Sequence, residues 1–82
     1  MKVVLEKQAA KYLESLDAVM KRRIKEALKD LADEPPSGDI VKLQGEDGYR
    51  RRVGNYRIVF DITETEIIVY KIATRGQIYK RS

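Results

Sequence analysis

The chain predicts an α+β sandwich: a two-helix hairpin packed on one face of a small, mainly antiparallel sheet of four to five strands, in the order β-α-α-β-β-β. Three observations carry that expectation. Apolar residues recur at helical spacing through the first half of the sequence. They alternate at strand spacing through the second half, around a Gly54-Asn55 turn signal. With 82 residues there is room for a single domain, so both halves must share one core. Helices gathered before a run of strands then form one helical layer on one sheet.

Each element has its own local reason. Val3-Val4-Leu5 is a short β-branched run and reads as a first strand. Ala9, Tyr12, Leu13 and Leu16 follow at i, i+3, i+4 and i+7, one apolar face of a short helix, with Lys7, Lys11 and Glu14 outside it. Asp17 reads as the N-cap that separates this helix from the next. Met20, Ile24, Ala27, Leu28 and Leu31 repeat the helical spacing, and Lys21, Arg22, Lys25 and Lys29 take the opposite face. Pro35-Pro36-Ser37-Gly38 stops the second helix, because proline has no N–H to continue it. Residues 40–43 are a short extended segment before a polar, glycine-containing loop, Gln44 to Gly48. Residues 49–53 and 56–62 form a hairpin about Gly54-Asn55, and 66–73 form the last strand after a turn at 63–65.

Charge is unevenly spread. Residues 1–41 hold 8 Lys/Arg and 8 Asp/Glu, whereas residues 42–82 hold 9 against 5, so the whole net charge of +4 lies in the second half. A basic half points to an anionic partner. A domain of this size has little room for a deep pocket, which favours a shallow surface site for a large ligand. With no Cys and no His, disulfides, thiolate metal sites and the usual general base are excluded, and no cofactor is expected. No apolar run approaches the roughly 18 residues of a membrane span. Glu6 and Lys7 interrupt the opening apolar stretch, so no secretory leader and a cytoplasmic location are expected.

Alternation assigns faces. Tyr56, Ile58, Phe60 and Ile62 are expected to pack on the helices, which sends Arg57, Val59 and Asp61 to the open side of the sheet. Arg50 and Arg52 share one face of their strand and Arg51 takes the other with Tyr49 and Val53. Glu46, Asp47 and Asp61 are the acids expected to pair with these arginines if they serve as surface ion pairs. Arg75 and Tyr79, beyond the last strand, are placed to close over the arginine face. The guanidinium fork matches two phosphate oxygens at once, and fixed positive charge stabilises charge that grows on phosphorus. If the ligand is RNA, a 2′-hydroxyl can attack its own 3′-phosphate without any metal, and a phenol whose pKa the arginines lower can move the proton.

Lys42-Leu43-x-Gly45, the run Tyr49-Arg50-Arg51-Arg52-Val53-Gly54-Asn55-Tyr56-Arg57-Ile58-Val59-Phe60, and Arg75-Gly76-Gln77-Ile78-Tyr79-Lys80 resemble the RelE/ParE toxin superfamily of bacterial and archaeal toxin–antitoxin systems, in its RelE-like branch. The resemblance covers residues 1–82 as one RelE-like domain. It implies a ribosome-dependent endoribonuclease that cuts messenger RNA in the A site, leaves a 2′,3′-cyclic phosphate and a 5′-hydroxyl, and is neutralised by a RelB-like antitoxin. On that resemblance Arg57, Arg75 and Tyr79 are the catalytic candidates, and Arg50, Arg52, Lys42, Lys80 and Arg81 the RNA-binding ones. Three positions depart from the family pattern. Arg50 and Arg52 stand where well-studied members carry lysines, and Thr74 stands where many carry His before the arginine. The alternative within the superfamily is a ParE-like inhibitor of DNA gyrase, which binds its target and needs no Arg75–Tyr79 pair.

Overall fold

The computed structural model describes residues 1–33, 35–45, 48–74 and 76. Its elements are β1 (Lys2–Leu5), α1 (Lys7–Ser15), α2 (Ala18–Ala32), β2 (Ile40–Lys42), β3 (Tyr49–Val53), β4 (Tyr56–Ile62) and β5 (Glu66–Thr74). The five strands form one sheet in the order β1-β5-β4-β3-β2. The extended segment after the prolines thus becomes an edge strand, β2, paired antiparallel to β3. β1 lies parallel to β5, with Val3 opposite Ile67 and Leu5 opposite Val69, which makes the sheet mixed.

The helices form where the spacing requires. Asp17 caps α2, its carboxylate accepting the Met20 N–H at 2.9 Å. Ala9 and Leu13 of α1 and Ile24, Ala27, Leu28 and Leu31 of α2 are buried against Ile58, Phe60, Ile67, Val69 and Ile72 of the sheet. Tyr12 and Leu16 pack at the border of this core, and Met20 is half-buried. Tyr49 and Phe60 are cross-strand partners whose rings stack at 5.7 Å, and the Tyr12 and Tyr56 rings meet edge-on at 6.4 Å. No helix among the described residues is long and apolar enough to cross a membrane.

Two irregularities shape β5. Its pairing with β4 shifts between Val59, opposite Lys71, and Phe60, opposite Val69, so Tyr70 is an extra residue in a β-bulge. The bulge lets Val69 and Ile72 both face the helices although they are three apart. On the outer side β1 covers β5 only as far as Val69, because the chain then turns into α1. The Gln8 side chain takes over from there: its amide Oε1 accepts the Ile72 N–H at 3.2 Å, and its Nε2 donates to the Ile72 carbonyl at 3.4 Å. A side-chain amide thus stands in for the missing strand and keeps that peptide paired.

The β3–β4 hairpin closes with Val53 opposite Tyr56. Gly54 has φ +58° and among the described residues no non-glycine has positive φ, so the positive angle falls on the first turn residue alone. That is the pattern of a type II′ turn, whose twist suits the strands it joins. This short turn determines the register on which the site depends.

Candidate functional site

The hairpin sets Arg52 directly opposite Arg57, and Arg50 opposite Val59. Directly opposed residues of antiparallel strands point to the same face. Carrying the pairing across the sheet gives two rows on the side away from the helices. One runs Arg52, Arg57, Ala73, and the next runs Val41, Arg50, Val59, Lys71. Cross-strand like charges repel. Two opposed arginines at adjacent strands therefore need anions nearby, either from the protein or from a ligand.

Some of that charge compensation comes from Asp39, immediately before β2. The Arg52 backbone N–H donates to the Asp39 carbonyl at 3.0 Å, extending the β2–β3 ladder by one residue. The side chains then meet in a two-point fork, Arg52 Nε to Oδ2 at 2.9 Å and Nη2 to Oδ1 at 3.0 Å. The hydrogen bonds from Arg52 hold the Asp39 carboxyl below the usual carboxylate range. The charges of Arg52, Arg51 and Arg57 add to that effect, and desolvation opposes it. Asp39 therefore sits in the field of three arginines.

Arg57 lies on the predicted side but is not open to water: it is 7 % exposed. Its guanidinium folds back towards the hairpin turn, where Nη1 donates to the carbonyls of Tyr56 at 3.0 Å and Gly54 at 3.2 Å. Val59 and Ala73 on the same side are buried too. Strand alternation gives the direction of a side chain and not its burial, so the expected open face is partly closed around Arg57.

Arg51 faces the helices as alternation requires, and it does a different job. Its Nη2 meets Asp30 of α2 at 3.0 Å, and Nη1 donates to the Arg52 carbonyl at 2.7 Å. The Pro-Pro-Ser-Gly loop closes over it. Gly38 has φ +112°, a backbone conformation that favours glycine, and a Cβ there would meet the Arg51 guanidinium, which would have to shift. Arg51 thus pairs with Asp30 and Arg52 with Asp39, two acids that the sequence did not single out. Asp61 accepts its neighbour Ile62 N–H at 2.9 Å, and Glu46 and Asp47 lie outside the described residues.

Lys42 does not join the arginine rows. It pairs with Tyr49 and shares the face of Tyr49 and Phe60, at the exposed sheet edge. Position 42 is an even number of residues from Ile40, which opposes the inward-facing Arg51, and so points the same way. Arg75, Tyr79, Lys80 and Arg81 lie outside the described residues. Among the described tyrosines, burial pushes the Tyr12 phenol above its ordinary value, helped by Tyr56 beside it, which keeps it protonated near neutral pH. Among the described residues no group of three carboxylates stands together to hold a metal ion.

The sequence model of the family described as "ParE toxin of type II toxin-antitoxin system, parDE" matches residues 3–79. The chain belongs to this family of toxins, within the RelE/ParE superfamily. It is similar to the toxin fold in the RelB–RelE antitoxin–toxin complex of Methanococcus jannaschii, with TM-score 0.81 and 27 % identity over 96 % of this chain and 98 % of that one. It is similar also to the archaeal RelE–RelB complex of Pyrococcus horikoshii, with TM-score 0.78 and 33 % identity over 93 % and 96 %. The isolated E. coli RelE toxin shares the fold at TM-score 0.75, with 20 % identity over 95 % and 89 %. No curated protein matches the sequence significantly. The fold is RelE-like, two helices on a five-stranded mixed sheet.

Proposed function

We propose that this toxin is a RelE-like messenger-RNA endoribonuclease, dependent on the ribosome and neutralised by a RelB-like antitoxin. The observation that carries the reading is the arginine row: Arg52 opposite Arg57, with Arg50 two residues along on the same face. Such a row supplies forked, permanently charged donors at a spacing set by the sheet, which suits the phosphates of a single RNA strand. The carbonyl contacts of Arg57 hold its positive charge in a fixed place beside Arg52 before substrate arrives, and because the side chain is buried it must be uncovered to touch the phosphate itself.

In this mechanism the 2′-hydroxyl of one nucleotide loses its proton and attacks the adjacent phosphorus. Its oxygen forms the cyclic phosphate bond as the P–O5′ bond breaks, and the 5′-oxygen takes a proton. Arg57 and Arg75 stabilise the phosphorane, Arg50 and Arg52 hold neighbouring phosphates, and Tyr79 serves proton transfer. An arginine does not lose its proton near neutral pH, so Arg50 and Arg52 bind and do not act as bases. Lys80 and Arg81 extend the positive charge. The partner is supported by the similar structures, two of which are RelB–RelE complexes.

A second reading is favoured by the name of the matching family: a ParE-type toxin that binds DNA gyrase and cuts nothing. Primer extension on messenger RNA from translating ribosomes, after addition of the purified protein, separates the two. The expected result is discrete cuts at A-site codons, reduced about 10²–10³-fold by Arg57→Ala and lost with Tyr79→Phe. No cuts together with inhibited gyrase supercoiling would overturn the nuclease reading in favour of the second.

A further inference from the structure

Asp39 is an acid of the protein itself that the arginine face already holds. The Arg52 fork grips two carboxylate oxygens at 2.9 and 3.0 Å, the same two-point geometry that it offers to two oxygens of a phosphate. We propose that Asp39 is a built-in phosphate surrogate, which holds Arg52 in its binding geometry and competes with RNA for it. The inference rests on the reading that this face binds RNA.

Three features support a competitor rather than a structural strut. The pair is exchangeable, because the side chains of Arg52 and Asp39 are 45 % and 52 % exposed. Exposed ion pairs contribute little to stability, so an incoming phosphate opens this one at small cost. The carboxylate is also tethered. The ladder bond from Arg52 N–H to the Asp39 carbonyl keeps the acid beside its partner even after the side chains separate. The carboxylate can therefore rebind when the phosphate leaves. Its position next to the Arg52–Arg57 row places its negative charge where the polyanion must approach, and its lowered pKa keeps it ionised well below neutral pH. The contrast with Arg51 is direct: that guanidinium is 14 % exposed, faces the helices and is tied to α2.

The device weakens casual binding of polyanions. A ligand must present a phosphate that replaces Asp39 on Arg52, so a strand held in register elsewhere gains more from the site than free RNA does. Removing the acid's charge should make the toxin bind RNA more tightly and less selectively.

The test uses fluorescence anisotropy of a short labelled single-stranded RNA with the purified full chain, over a range of salt. Asp39→Asn, and Asp39→Ser as a second variant, should tighten binding about three- to tenfold at low salt, the worth of one surface charge near a phosphate. Their salt dependence should steepen by about 0.7, one more phosphate neutralised on a single strand. The gain should vanish in the Arg52→Ala background, because the acid acts through that guanidinium. Arginine-dependent binding that Asp39→Asn leaves unchanged, or a gain that survives Arg52→Ala, would overturn the proposal alone. Binding indifferent to both Arg52→Ala and Arg57→Ala would overturn the RNA reading, and the proposal with it.

Discussion

Asp30→Asn tests the division of labour among three consecutive arginines. The change keeps the size of the side chain and removes its charge. Arg51 then remains 14 % exposed with its bond to the Arg52 carbonyl but without the carboxylate at 3.0 Å. A hydrogen bond to a charged group contributes about 1.5–3 kcal/mol. Asp30 is 47 % exposed, so water already screens the pair, and the lower part of that range applies, about 1.5–2 kcal/mol. For a domain of this size each kcal/mol moves Tm by about 4–8 °C, which gives a fall of about 6–16 °C. Thermal unfolding followed by far-ultraviolet circular dichroism at pH 7 reads it. RNA binding by the folded variant should be unchanged, because Arg51 faces the helices while Arg50 and Arg52 face the other way. A Tm within about 3 °C of the unaltered protein would refute the argument that this pair ties α2 to β3. Unchanged Tm with weakened RNA binding would reverse the assignment of faces.

Gly38→Ala should destabilise the domain by more than about 1 kcal/mol, since the new methyl group strains a backbone at positive φ and drives into the Arg51 guanidinium; urea unfolding measures it. The Asp39 carboxyl should titrate below the ordinary Asp value in a carbon-13 NMR titration, and Arg52→Ala should move it up. A carboxyl whose folded-state pKa is depressed adds stability above its unfolded value, and that stability is lost as pH falls through the folded one. Any contribution of the Arg52–Asp39 pair therefore disappears in acid and is insensitive to pH near neutrality.

The helical hairpin was legible because its signals are local. Ala9 and Leu13, then Ile24, Ala27, Leu28 and Leu31, fall on buried faces as the spacing requires, and Asp17 caps the second helix. The strand hairpin was legible for the same reason: a two-residue turn leaves one register, so Gly54-Asn55 commits Arg52 to face Arg57. The site was less legible. Its counter-ions come from segments distant in sequence, Asp30 on α2 and Asp39 ahead of β2, and no periodicity points to them. Lys42 was grouped with Arg50 and Arg52 on the family resemblance alone. The register of β2, reached through a polar loop that imposes no turn type, turns it the other way.

From the sequence alone came the two helices, the pleat of β3 and β4, the separation of Arg51 from Arg50 and Arg52, and the family resemblance. Those follow from backbone periods of 3.6 and 2 residues, which every short segment obeys by itself. Only the tertiary structure placed β1 beside β5, inserted the bulge at Tyr70 and let Gln8 complete the strand edge. It also buried Arg57 under its own hairpin turn and brought Asp39 onto Arg52. Contacts of this kind depend on which distant segments bury the most apolar surface together once the loops between them close. That balance is a property of the whole chain and is not written in any stretch of it.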